Sequence, residues 1–383
     1  MLFEALTQDF SEIQKHLEDR LAEAPPLDDV AEAIYPRDKW LLSSALQKLI
    51  RRGQAREALG VAYALHALDP TYLARRLPII ALEDIGIADL VLCFDALVAF
   101  GAKGALGRRF EQIQLITNLV YRLAGSVKCR TACDLLCLAH ARLESRSKTT
   151  GFATPSLDGL VQLVTDRSVS DTNRALALHH LSGLTLRHGR WARSFSRFNA
   201  GALDLVALKL NLPPVVRSLV LRGRNTLGLA AMLPLVTEVV RKEAGRIHVK
   251  TASTSYFAPP IAGLPEYAFD MHTGAGRMAI GQFARQLQAS RARAFGSIPE
   301  NQFARLISIA LFHVEGSVLE SSLSSPELDL YRERIELTEL QQRGLPDVGR
   351  REELYSAIDA GHWKLWELRC LACDALHKTG QAS

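Results

Sequence analysis

The chain has 383 residues, 48% apolar and 23% charged, with 46 Lys/Arg against 41 Asp/Glu. That is the composition of an ordinary globular protein long enough for two or three domains. No run of about 18 apolar residues occurs, which argues against a membrane span, and the acidic opening Met1-Leu2-Phe3-Glu4-Ala5 lacks the basic start of a signal peptide, so a cytoplasmic location is expected.

Helical periodicity begins at once, with Leu6, Phe10, Ile13, Leu17 and Leu21 on one face of a segment from Leu2 to Leu21. Glu23-Ala24-Pro25-Pro26-Leu27-Asp28-Asp29 reads as a linker. Helices are predicted over 43–50 and 55–67, separated by Gly53. Asp69-Pro70 then gives a strong start signal, Asp as N-cap and Pro at the first helical position. Leu73, Leu77 and Ile80 share a face of that helix, and Pro78 predicts a kink or an end. Further helices are expected over 90–99, 110–124, 128–144, 156–164, 171–186, 215–222, 230–243, 274–292, 299–311, 328–342 and 351–376. The alternation Arg246-Ile247-His248-Val249-Lys250-Thr251 allows one short strand. No βαβ alternation is present, so the expected class is all-α or nearly so. The segments would be 1–35, 36–145, 146–320 and 321–383.

Cys129, Cys133 and Cys137 fall at helical spacing on one face. An unbroken helix does not wrap three thiolates around one ion, so they read as small apolar residues. Cys370 and Cys373 form a single C-x-x-C with no second pair. No metal site and no cofactor is expected.

The run Arg75-Arg76-Leu77 through Glu83-Asp84-Ile85-Gly86-Ile87-Ala88-Asp89 resembles the ARRL…EDIGLAD signature that follows the ATPase module of replication-associated recombination ATPases of the RarA/MgsA type. Ser43-Ser44-Ala45-Leu46-Gln47-Lys48-Leu49-Ile50-Arg51-Arg52-Gly53 is similar to an earlier helix of that family. The likeness covers about residues 40–140. The ATPase module has no counterpart, since no G-x-x-x-x-G-K-[ST] occurs. The resemblance implies a clamp-loader-collar-like helical region that forms homo-oligomers or docks a partner ATPase. Arg75, Arg76, Glu83 and Asp84 are its candidate interface residues. Read from the residues alone, the same run is a capped, ion-paired helix junction, with Gly86 as a helix end and Ala88-Asp89 as a new start.

Charge is segregated along the chain. Residues 184–312 carry 17 Lys/Arg against 6 Asp/Glu, and the rest of the chain is acidic. A basic block of this kind points to an anionic partner, DNA above all. The candidate contacts are Arg190, Arg193 and Arg197, interleaved with Trp191, Phe195 and Phe198; Arg217, Arg222 and Arg224; Arg241, Lys242, Arg246 and Lys250; and Arg277. Trp191, Phe195 and Phe198 also fit one apolar stripe of a helix, with the arginines on another face. Asp270 and His272, just before a helix that Thr273 would cap, read as capping residues before they read as a catalytic pair. His179 and His180 read as packing residues. The expected function is a non-enzymatic, DNA-associated, oligomerising protein of replication, recombination or repair. The alternative is an adaptor that docks an ATPase or a single-stranded-DNA-binding protein without touching nucleic acid.

Overall fold

The computed structural model describes residues 9–23, 25, 34–101, 111–147, 156–187, 190–193, 198–252, 258–290, 295–345 and 347–380. The fold is all-α, with two short two-stranded sheets among these residues. The chain divides into two compact units that interleave in sequence and so cut across the four consecutive segments expected above. The first unit takes residues 1–25, 74–250 and 321–335. The second takes 26–73, 251–320 and 336–383.

In the first unit the helices Leu90–Gly101, Gln112–Gly125, Thr131–Ser147, Asp171–Leu181, Pro214–Arg222 and Leu229–Glu243 carry the core. Leucine and valine recur on their inner faces, and burial of those faces supplies the main drive for folding. Asp95, fully buried on the first of these helices, is held by Arg20 at 2.6 Å and by Arg122 at 2.8 Å. A buried carboxylate is tolerated only when paired in this way.

In the second unit Lys39–Arg51 packs on Ala55–Leu68, and Gly274–Ser290 packs on His362–Gly380 and Glu300–Leu311. Asp69 does what its position predicts: its Oδ1 accepts from the Tyr72 N–H at 2.9 Å and its carbonyl accepts from the Leu73 N–H. The Lys39 ammonium reaches its other oxygen at 3.2 Å.

Pro78 lies inside the helix Pro70–Ile80. Proline removes one backbone donor and crowds the preceding turn. The regular helix stops two residues later and widens into a π turn, Ala81–Ile85, followed by a 3₁₀ turn, Gly86–Asp89. Gly86 has φ +52° and ψ −126°, a backbone setting open to glycine, and an added Cβ would lie 2.9 Å from the Cys129 carbonyl. Asp89 starts the next helix by accepting from the Leu92 N–H at 2.9 Å.

Three expectations are corrected. Leu184–Arg187 and Arg190–Arg193 pair antiparallel, Arg187 opposite Arg190, so Trp191 is on a strand and not on a helix. Thr185 and Trp191 are at home on strands, and the pairing of the two segments decides for strands over a helix. Phe195 and Arg197 lie outside the described residues. Second, the helix predicted over 171–186 stops at Leu181. Third, Cys129 is not on the helix of Cys133 and Cys137. It precedes Thr131–Ser147, and its N–H donates to the Asp84 carbonyl at 2.8 Å. The strand expected near 246–251 is present as His248–Thr251, paired with Ser321–Ser324.

Candidate functional site

In the first unit the helix Pro214–Arg222 buries Val215, Val216, Leu219 and Val220, which leaves Arg217 and Arg222 on its other side. Arg217 is clasped by Asp204, Nη2 to Oδ2 at 2.8 Å, and that hydrogen bond holds the Asp204 carboxyl below its usual range. The Arg222 guanidinium lies 5.8 Å from the Phe94 ring, and its Nε donates to the Ser218 hydroxyl at 3.2 Å. The next turn, Gly223–Asn225, presses on the helix Leu229–Glu243, where an added Cβ on Gly223 would sit 2.1 Å from that of Ala230. Glycine is therefore required there, and the turn leaves Arg222 and Arg224 exposed.

Arg241 donates to the carbonyls of Leu210 and Asn211 at 3.2 and 2.8 Å. Lys242 pairs with Glu327 at 2.7 Å, and Arg246 pairs with Glu243. Lys250 is exposed on its strand. Arg190 and Arg193 are the ends of the strand Arg190–Arg193. Arg277 belongs to the second unit, so the predicted contacts do not all fall in one compact unit.

The acids of this stretch decide its character. Residues 184–250 hold 12 Lys/Arg and only Asp204, Glu238 and Glu243 as acids. Glu243 is 1% exposed, and the Glu238 side chain, 13% exposed, is bound to Arg174 and Arg167. Lys209, Arg222, Arg224, Arg241, Lys242, Arg246 and Lys250 are all exposed. Of the three acids, Glu238 and Glu243 are turned inward and Asp204 is paired with Arg217, while these seven bases face outward.

A cavity of about 540 Å³ opens beside these cations, walled by Phe10, Leu208, Leu212 and Leu221, with Arg217 and Arg222 on it. Its corner exists because the helix Ala200–Lys209 ends on Leu210 and a left-handed Asn211 (φ 47°), after which Pro213 and Pro214 start the next helix.

The signature residues form an internal junction. Arg130 faces Glu83 at 3.4 Å and Asp84 at 3.6 Å, and Arg76 reaches Glu83 at 3.9 Å. Burial would lower the Arg130 pKa, but Cys133, Asp84 and Glu83 around it push it well up. Asp84 is 0% exposed, so it has no surface to offer another subunit, which corrects its place among the interface candidates. Arg75 is exposed. Arg130 was not singled out from the sequence; its only signal is an arginine just ahead of an apolar helix.

In the second unit Asp270 is a hub. One oxygen takes the Lys48 ammonium at 2.6 Å and the His272 Nδ1 at 2.9 Å, and the other accepts from the His272 N–H at 2.9 Å. Burial would raise the Asp270 carboxyl, but the His272 hydrogen bond and the Lys48 charge outweigh it and hold it well below the usual range. Burial pushes Lys48 down to about 8, against the pull of Asp270. Thr273 caps the helix Gly274–Ser290 through the Gly276 N–H at 3.0 Å, and Arg277 approaches the His272 carbonyl at 3.4 Å. Close by in the chain's fold, Arg369 is buried against Glu315 at 2.6 Å and Glu266 at 3.7 Å, with His362 3.3 Å from Glu266. Lys48, Glu266, Glu315 and Arg369 were missed as a group because they are far apart in sequence.

No family model, curated protein or solved structure matches this chain. No helix among the described residues is long and apolar enough to cross a membrane.

Proposed function

We propose that this chain is a non-enzymatic, DNA-associated protein that works in replication, recombination or repair, and that it touches the phosphate backbone through the cationic side of its first unit. The observation that carries the reading is the sorting of charge over residues 198–250, where the acids are inside or paired and Lys209, Arg222, Arg224, Arg241, Lys242, Arg246 and Lys250 are exposed. Such a surface attracts a polyanion without reading its sequence. The resemblance of residues 40–140 to collar helices supports the same setting and adds assembly, with copies of this chain or with a partner ATPase.

Titration of labelled DNA in a salt series tests the proposal. Binding at low salt that weakens as salt rises is expected. Arg222→Ala/Arg224→Ala should weaken it on the order of tenfold, equivalent to about 1.4 kcal/mol. Absence of binding at low salt, or indifference to the double substitution, would reject the DNA reading. Light scattering on the purified protein tests assembly separately.

A further inference from the structure

The cavity at the corner between Ala200–Lys209 and Pro214–Arg222 is not what a phosphate backbone would select. Its walls are mostly aliphatic, with Phe10 as the only aromatic ring among its lining residues. Leu208 stands 56% exposed at its edge, and Leu205, one helical turn earlier, is 40% exposed. Two exposed leucines beside a concave apolar floor are costly in water unless something covers them. Single-stranded nucleic acid prefers aromatic platforms on which successive bases stack, and one phenylalanine does not make such a surface.

The rim is cationic. Arg222 lines the cavity, and Lys209 is exposed at the end of the helix that carries Leu208. Arg241, which is not among the lining residues, braces the corner through the Leu210 and Asn211 carbonyls. Arg217, the other cation on the lining, is already balanced by Asp204, so the charge that the lining leaves for a ligand sits on Arg222, with Lys209 exposed next to Leu208 in the chain. The volume lies within the roughly 300–1,000 Å³ of cavities that hold a ligand.

We propose that this cavity docks a segment of a partner protein in which one large apolar side chain is flanked by carboxylates. The apolar side chain would fill the floor between Leu212 and Leu221, and the carboxylates would meet Arg222 and Lys209. Anchoring by one buried apolar group within a charged rim is a common economy of protein recognition. Docking of this kind does not depend on the DNA reading, because Leu208 has no role in phosphate contact and Arg224 does not line the cavity.

The probe is a short synthetic peptide with one Phe among Asp and Glu residues, followed by fluorescence anisotropy on the full chain. Two control peptides carry Ala for Phe, or amides for the carboxylates. Binding of the first peptide, and a loss on the order of tenfold with either control, is expected. Leu208→Ser and Arg222→Ser should each lower peptide affinity by a similar factor; both positions are exposed, so folding should survive, which circular dichroism checks. Leu208→Ser should leave DNA binding unchanged, whereas Arg224→Ala should weaken DNA binding and spare the peptide. Equal binding of all three peptides, or indifference to Leu208→Ser, overturns the proposal. So does displacement of the peptide by an oligonucleotide whose own binding falls with Leu208→Ser, which would make the cavity a nucleic-acid site.

Discussion

Asp270 and His272, a pair of the residue types that catalysis uses, are bonded into the fold. The Asp270 carboxylate is bound on one side to a buried ammonium and on the other to the His272 N–H just ahead of a helix, and Gly276 lies so close to the Asp270 backbone that an added Cβ would meet its carbonyl oxygen at 2.0 Å. Removing one member of a buried ion pair leaves the other charge stranded, at a cost of roughly 3–5 kcal/mol. Lys48→Met should therefore lower the denaturant midpoint strongly. His272, whose side chain is 61% exposed, gives up only a hydrogen bond when cut back, about 0.5–1.5 kcal/mol. Chemical unfolding of both variants tests the contrast. If His272→Ala proved as damaging as Lys48→Met, the ranking of these two interactions would be wrong. The sequence showed the local half of this cluster, Asp270, His272 and Thr273, because caps are spelled by neighbours. Lys48 could not be read, since nothing in a helix of alternating Leu and polar residues says that one lysine points inward.

Elements were legible where local chemistry decides them. Asp69-Pro70 starts its helix, Asp89 starts the next, and Gly86 ends a turn that other residues would strain. Gly86→Ala should cost about 2–3 kcal/mol through its left-handed φ and the close Cys129 carbonyl; a thermal melt unchanged from the parent would show that the turn adapts freely. The strand pair at 184–187 and 190–193 was illegible because Leu, Arg and Trp suit either a strand or an amphipathic helix, and pairing between the two segments settles the choice. The helices Thr131–Ser147 and Asp171–Leu181 meet at a histidine cluster. His140 and His179 stack edge to face at 5.0 Å, with His180 5.6 Å from His179. Burial lowers all three, His140 to about 4 and His179 to about 2, the latter helped by the neighbouring rings. Above pH 6.5, the ordinary value, neither folded nor unfolded chain is protonated there and no stability is forfeited. As pH falls below it, the unfolded chain takes up protons that the folded one refuses, so stability drops. At pH 4.5 the loss is on the order of 2–3 kcal/mol for each ring that stays neutral. Urea midpoints at pH 7.5 and 4.5 should differ, and His179→Phe should narrow the gap. A gap that stays the same in the variant would remove these histidines as its cause.

Across the whole molecule, the uneven charge read from composition gives the number of cations in a stretch and not their pairing. The basic block was visible from residue counts, yet counting cannot tell which cations an acid already neutralises. Glu327 lies 85 residues beyond Lys242, and Glu243 is buried beneath Arg246, so both bases enter any encounter with DNA partly balanced. Lys209, Arg222 and Lys250 are exposed and have no acidic partner among the described residues. This difference makes a quantitative prediction for the proposed DNA interface. Each phosphate neutralised contributes about 0.9 to the slope of log affinity against log salt. Lys209→Ala/Arg222→Ala/Lys250→Ala should flatten that slope by about 2–3, near one for each cation removed. Lys242→Ala/Arg246→Ala should flatten it by less than about 1, because those charges are held by Glu327 and Glu243 and few counterions leave with them. Equal flattening per residue in both sets would mean that the internal pairs open on binding. Flattening in the second set alone would mean that the end of Leu229–Glu243 and the turn after it, rather than the corner at Arg222 and the strand at Lys250, face the DNA.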